Sequence, residues 1–452
     1  MHDWFKRKTG GFRPALMMVA GFLAVILFGA VLLSTPLASR TGAWTSPMIA
    51  LFTATSATCV TGLVLVDTAQ YWSGFGQLVI LLLIQVGGLG FMTMATLFSL
   101  LTRRTITLRE RMVLSTGLNL NDPAGIVRLT RRVLLGTLLF EGAGAVILAC
   151  RFSFDFGLIK GIKLGIFHSV SAFCNAGFDL LGEEKAFASV SAYVDDPFVC
   201  LTLMALIVIG GLGFFVWSDV YEKRKFRRFR LHTKLALITT AALILLGWVL
   251  TLWFEWGNPA TLGALGTPGK LIAAGFQSVT LRTAGFGGLD QGALTDSSLG
   301  MAVVMMLIGG SPGSTAGGLK TVTIAVLLMT AWTAICGKTE VVAFGRRIAP
   351  RAIMNAITML VVGTVFAFGG SILMSHIEGL PLLPCLYEVA SAFGTAGLST
   401  GITPGLSVFS HCLLIALMYF GRVGVLTLGV GVLMRRQSPP KITYPDGQVM
   451  VG

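Results

Sequence analysis

Four short polar segments, each carrying a glycine near its end, are where this sequence offers ion chemistry. They read SATCVTGL (Ser56–Leu63), SAFCNAGF (Ser171–Phe178), VTLRTAGF (Val279–Phe286) and SAFGTAGL (Ser391–Leu398). A cation entering a membrane must shed its water, and a ring of backbone carbonyls can replace that shell. Glycine reaches positive φ without steric penalty, so neighbouring carbonyls can turn toward one axis. The candidate ligating residues are therefore Val60, Thr61 and Gly62; Asn175, Ala176 and Gly177; Thr283, Ala284 and Gly285; and Thr395, Ala396 and Gly397. For one glycine alone, ordinary packing between membrane helices is an equal explanation. Four copies in register point to a fourfold ring.

The elements that must hold such a ring recur with it. Each segment follows an amphipathic stretch too short to span and precedes a long apolar run. The expected spans are Pro14–Ser34, Leu129–Phe152, Leu235–Trp256 and Ala352–His376. The expected half-helices are Pro47–Thr58, Ile162–Phe173, Gly269–Val279 and Leu383–Phe393, whose negative C-terminal ends would face the ion. The return runs are Phe75–Leu101, Pro197–Val220, a segment from Ser298 broken at Gly309–Gly318 and resuming at Leu319–Ile335, and Leu406–Leu433. A second landmark aligns within them: Gly87–Gly90, Gly210–Gly213, Gly309–Pro312 and Gly421–Gly424, at 25, 33, 24 and 24 residues from the loop glycine. Internal repetition at two landmarks fixes architecture before local detail does. The fold class expected is an all-α polytopic membrane protein. It has four helix–pore-loop–helix repeats, with eight spanning helices and four half-helices, around a pseudo-fourfold pore. The repeats run 14–101, 129–220, 235–335 and 352–434, followed by a tail at 435–452.

Composition agrees with that class. Of 452 residues, 54% are hydrophobic and 12% charged, against about 25% charged in soluble domains. The net charge of +14 is not a nucleic-acid signature. Most of the 34 Lys and Arg flank apolar runs at Lys6–Arg13, Arg103–Arg111 with Arg128–Arg132, Lys223–Lys234, Lys338–Arg351 and Arg435–Lys441. The connections carrying the glycine segments are acidic or neutral, with Asp67, Asp155, Asp179, Glu183, Glu184, Asp195, Asp196, Asp290 and Asp296. This asymmetry predicts basic loops and both termini in the cytoplasm, and glycine segments entering from outside. Seven cysteines without a C-x-x-C pair give neither a disulfide framework nor a zinc signature. Cys59 and Cys174 are read as small hydrophobes. The first apolar run lacks a cleavage site and is expected to be retained as a span.

Ile308–Thr321 (IGGSPGSTAGGLKT) cannot be a continuous helix. It contains a G-x-S-x-G match around Ser311, and an intramembrane hydrolase is one alternative; the match lacks the strand, histidine and acid that a nucleophile elbow needs. The better expectation is a plug at mid-depth, with Gly309, Gly310, Ser311, Gly313, Gly317 and Gly318 in a gating loop at 309–318. Arg422, inside the last apolar run, is costly there and so expected to work, as a fixed charge holding the plug; a snorkelling or structurally paired arginine is the alternative. Lys320 has no readable partner. For intramembrane Glu141 a structural partner is preferred over a proton relay.

With these motifs on nearly the whole chain, about residues 14–434, the sequence resembles the Trk/Ktr/HKT superfamily of cation transporters, in particular the KtrB-type membrane subunits. The short basic leader, without two further N-terminal spans, favours the Ktr side. The resemblance implies a gated, channel-like potassium transporter and not an enzyme. It implies K⁺ in the pore, no organic cofactor on this chain, a filter glycine at Gly62, Gly177, Gly285 and Gly397, and an arginine gate at Arg422. Relatives with serine at the first position tend to pass sodium, so Gly62 implies potassium selectivity. It further implies a homodimer in the bacterial inner membrane and a cytoplasmic RCK-type nucleotide-binding regulator of the KtrA kind. A Na⁺-coupled symporter or Na⁺-permeable member remains the transport alternative. The basic connectors suit docking, although topology alone explains them equally well.

Overall fold

The computed structural model describes residues 14–90, 126–183 and 185–424. The described chain is mostly helical. In order, the elements are α1 (Pro14–Ser34), α2 (Pro47–Cys59), α3 (Gly74–Leu89), α4 (Ile126–Phe156), α5 (Leu158–Phe173), α6 (Pro197–Leu212), α7 (Phe214–Lys223), α8 (Leu231–Glu255), α9 (Thr267–Thr280), α10 (Asp296–Leu307), α11 (Thr321–Ile335), α12 (Pro350–Glu378), α13 (Leu382–Gly394) and α14 (Val408–Val423). Between α11 and α12, Val342–Ala343 pairs antiparallel with Arg346–Arg347. One-turn helices in the connections are left unlabelled.

Among the described residues, α1, α4, α8 and α12 are long and apolar enough to cross a bilayer, with mean hydropathy between 2.1 and 2.8. The 21 residues of α1 span about 31 Å at 1.5 Å per residue, close to a hydrocarbon core. Most of each such stretch is not buried within the chain, as expected for surfaces facing lipid. α2, α5, α9 and α13 have 13, 16, 14 and 13 residues, about 20–24 Å, and fall short. Their C-terminal halves are buried nearly completely. The helices that follow the glycine segments all begin with a side-chain cap: Ser73, Asp196, Thr295 and Ser407 accept from backbone N–H groups of α3, α6, α10 and α14. Each such cap satisfies donors that a helix start leaves orphaned.

The hydrophobic core links sequence-distant parts. Phe52, Cys59 and Leu63 pack with Met374, Phe393 and Leu414, joining the start of the chain to its end. Another cluster joins Val60 and Ile84 to Phe173, Ala176 and Phe286. The arrangement is closed.

The return runs differ from expectation. A single break was expected, in the third. The second also breaks, at Gly213, where α6 and α7 meet at 91°. Gly90 and Gly424 have nearly the same conformation, with φ/ψ of 81°/135° and 88°/130° against 94°/141° at Gly213. No right-handed helix passes through such angles, so the last glycine of the landmark ends the helix in all three runs. The parts of the expected runs at 91–101 and 425–433 lie outside the described residues, as does the tail at 435–452.

Candidate functional site

The four glycine segments converge. A Cβ placed on Gly62 would lie 2.6 Å from the Ala176 carbonyl oxygen, and one on Gly177 would lie 2.8 Å from that of Ala284. One on Gly285 would lie 2.8 Å from the Ala396 oxygen, and one on Gly397 2.0 Å from the Thr61 oxygen. Each glycine therefore faces the carbonyl that precedes the glycine of the next segment, and the fourth closes on the first. Any side chain here would strike backbone.

The same local geometry builds each corner. Val60, Asn175, Thr283 and Thr395 adopt φ of 56°, 57°, 62° and 54°, and the glycines two residues on adopt 97°, 69°, 83° and 83°. The left-handed residue ends the half-helix in the manner of a C-cap. Three corners use an identical closing bond, from Thr61 N to Ser56 O, Ala176 N to Ser171 O and Ala396 N to Ser391 O, at 2.8, 2.8 and 2.7 Å. In the third, Ala284 N reaches Thr280 O at 3.0 Å, one residue tighter, and Arg282 N donates to Val279 O. Hydroxyls on the half-helices lock the segments: Ser56 accepts from Gly62 N at 3.0 Å, while Ser171 and Thr280 donate to the carbonyls of Phe178 and Phe286. The hydroxyls of Thr58, Thr61, Thr283, Ser391 and Thr395 are buried without a hydrogen-bond partner among the described residues. Orphaned oxygens are costly in a dry protein interior, and here they cluster at the ring.

On one side the ring opens into a cavity of about 380 Å³ floored by all four glycines, with Asp179, Asp290 and Lys185 among its walls. Burial, and then the charge of Asp67, pushes the Asp179 carboxyl up to about 7. The walls are tied back to the half-helices. Glu388 accepts from Thr400 N and Ser399 Oγ, both at 2.8 Å, and His168 Nε2 accepts from Leu180 N at 3.4 Å.

On the other side lies the broken run between α10 and α11. Its neck is zipped by Gly309 N to Leu319 O at 2.7 Å and Leu319 N to Leu307 O at 3.0 Å. The loop docks on the break in the second return run. Ser311 N and Thr315 N donate to the carbonyls of Gly211 and Gly210, and Phe214 N donates to Gly313 O, at 2.9, 3.3 and 2.9 Å. The bend at Gly213 frees those groups from their helical bonds, and the loop satisfies them. Gly317 lies under the fourth corner, 2.1 Å from Thr395 Oγ1 if given a Cβ. A Cβ on Gly310 would come 2.6 Å from that of Ala316, and one on Gly318, at φ 64°, 3.1 Å from Gly394 O. Ser311 is buried with its hydroxyl 2.8 Å from that of Thr321. It follows a helix, not a strand, so the elbow geometry is absent.

Arg422 donates to the carbonyls of Thr315 in the loop and of Gly87 and Gly88 at the end of α3. Gly87 O also accepts from Gly90 N, at 3.3 Å, where the helix ends. Lys320, unreadable from sequence, donates back into its own loop, to Ala316 O at 2.8 Å and Gly317 O at 3.2 Å. Three consecutive loop carbonyls are thus held by two cations. Glu141 accepts from Gln85 Nε2 at 3.1 Å, beside Cys174 at the base of the second corner. A structural partner was the expectation for it.

The whole-chain comparison decides the family. A family model described as cation transport protein, TrkH, matches residues 16–439. The chain belongs to the TrkH cation transport family. Among curated relatives of this TrkH-family chain, the potassium/sodium uptake protein NtpJ of Enterococcus hirae is 39% identical over 452 residues, covering 99% of each chain. The Ktr system potassium uptake protein B of Bacillus subtilis is 39% identical over 98% of this chain and 97% of its own, and that of Vibrio alginolyticus 36% over 100% and 97%. The crystal structure of the potassium transporter TrkH from Vibrio parahaemolyticus superimposes with a TM-score of 0.68 over 92% of this chain and 85% of its own, at 19% identity. That likeness concerns the fold. The chain is a multi-pass membrane protein of a transporter family.

Proposed function

We propose that this chain is the pore-forming subunit of a bacterial potassium uptake system. The observation that carries the reading is the cyclic closure of the four glycine segments, with a docked loop directly beneath. In this reading the chain forms four helix–pore-loop–helix repeats with eight spans and a pseudo-fourfold axis. K⁺ is the cargo. It enters through the vestibule beside Asp179 and Asp290 and exchanges water for the carbonyls of Val60 to Gly62 and their counterparts, where the orphaned threonine hydroxyls add oxygens. The half-helices direct their negative ends at the same point.

The loop at 309–318 is the gate, and Arg422 is its latch. A fixed positive charge beneath the ring opposes cation passage electrostatically and anchors the loop through Thr315. The chain acts in the inner membrane with both termini in the cytoplasm, as a homodimer. Its regulator is a cytoplasmic nucleotide-binding subunit, and the Ktr-system names of the relatives support that pairing. The name of the Enterococcus hirae relative favours testing sodium beside potassium.

The test is Rb⁺ and Na⁺ uptake, with growth rescue, in a strain lacking potassium uptake. Gly62→Ser is expected to lose preference for K⁺ over Na⁺, because a Cβ at φ 97° would press on the Ala176 carbonyl. Deleting 310–317 is expected to raise flux. Unchanged selectivity in Gly62→Ser sinks the filter assignment.

A further inference from the structure

The four corners are alike in backbone but not in what they touch below. At the left-handed position, Val60 has no polar side chain, and the hydroxyls of Thr283 and Thr395 are unpartnered. Asn175 alone reaches out of the ring. With its amide nitrogen facing the loop, it lies 3.2 Å from Thr315 Oγ1 and 3.3 Å from each of the carbonyls of Phe173 and Ile207. That orientation follows from the surrounding acceptors. Thr315 Oγ1 in turn donates to Phe173 O at 3.2 Å. Gly210 makes the meeting possible, since a Cβ there would come within 3.1 Å of both the Asn175 amide and the Thr315 hydroxyl. Thr315 is also the residue whose carbonyl Arg422 holds.

We propose that Asn175 and Thr315 couple the gating loop to the selectivity of the ring, making Asn175 a positioning residue for the second corner. The proposal rests on the filter-and-gate reading above. The physical reason is directional. The amide ties a left-handed residue to the end of its half-helix (Phe173), to α6 (Ile207) and to the loop (Thr315). Its ψ sets the direction in which the adjoining carbonyl points. When the loop leaves, the amide loses one partner and the second corner one brace, while the other three corners lose no side-chain hydrogen bond. The ring therefore becomes asymmetric as the pore opens.

The experiment measures the Rb⁺/Na⁺ uptake ratio of the full chain in proteoliposomes, for wild type, Thr315→Val, Thr315→Ser, Asn175→Ala, the Asn175→Ala/Thr315→Val pair and Gly62→Ser. Monodispersity in detergent screens each variant for folding. Thr315→Val and Asn175→Ala are each expected to lower the ratio about 3- to 10-fold, the equivalent of one net hydrogen bond. The pair should be no worse than the poorer single variant, as for residues sharing one interaction. Thr315→Ser, which keeps the hydroxyl, should return the ratio toward wild type. Raised flux at an unchanged ratio in Thr315→Val overturns the coupling, as do additive losses in the pair. Because Gly62→Ser shares the assay, its failure to change the ratio identifies a failure of the filter reading instead.

Discussion

The two faces of the ring are built on opposite rules. Above and within it, four segments repeat one geometry: a left-handed residue, a small residue, then a glycine with φ between 69° and 97°. Below it, each segment meets something different. The second return run breaks and accepts the loop, the third supplies the loop, and the fourth supplies Arg422. The first offers the carbonyls of Gly87 and Gly88 near its helix end. Repetition suits a task in which four equal oxygen sets surround one ion. Divergence suits a task in which one element must move while its neighbours stay.

The largest effect that breaks the comparison belongs to the ring. Gly397→Ala puts a methyl group 2.0 Å from the Thr61 carbonyl at φ 83°, where both partners are backbone and neither can yield. Uptake should fall to background at any loop state, including in the 310–317 deletion background. Retained uptake would mean that the ring does not carry the ion.

Next comes the latch. Arg422→Gln removes charged bonds to three carbonyls, so it should shift the loop toward release by about 10-fold or more, since one hydrogen bond to a charged group is worth about 1.5–3 kcal/mol. Rb⁺ efflux from loaded vesicles without any regulator should rise accordingly. A fall in flux would instead favour the purely structural role for this arginine.

A paired substitution separates strain from contact. Gly213 and Gly90 share nearly the same backbone angles, but a Cβ on Gly213 would lie 2.7 Å from the Pro312 carbonyl, whereas one on Gly90 meets nothing within 4 Å among the described residues. Both alanine variants should lose thermal stability, by about 1–3 kcal/mol for a backbone conformation that disfavours side chains. Only Gly213→Ala should also raise flux, by displacing the loop. Equal flux changes would show that the break, not the docking, matters.

The smallest expected effect lies in the vestibule. Burial pushes the Asp179 carboxyl up to about 7, so a larger share of it is charged at pH 8 than at pH 6. Uptake at limiting K⁺ should therefore rise by a factor of about two between pH 6 and pH 8, because negative charge at a mouth concentrates cations. Asp179→Asn should flatten the profile at the low-pH level.

Much of the site is legible in the sequence. The four glycines, the third break and Arg422 are local departures from apolar helix, and their rarity makes them conspicuous. The breaks at Gly90, Gly213 and Gly424 were not expected, although the sequence shows the glycines. Gly-Gly-x-Gly is compatible with a tightly packed helix as well as with an end, and only the neighbours decide. At Gly87, Gly210 and Gly421 a Cβ would lie 2.0 Å from the carbonyl of Thr58, Phe173 or Phe393. There glycine serves close approach. Three residues on, it ends the helix.

Sequence by itself determined the membrane class, the fourfold recurrence of its motifs and the residues that differ from their counterparts, because these follow from hydropathy and from backbone preference at single positions. The tertiary structure decided who faces whom: each glycine against the next segment's carbonyl, Arg422 on carbonyls more than 330 positions earlier, Asn175 on Thr315. Those partners are backbone oxygens, which every residue carries. No residue type announces them, and only the folded chain says which carbonyls have lost their helical partners.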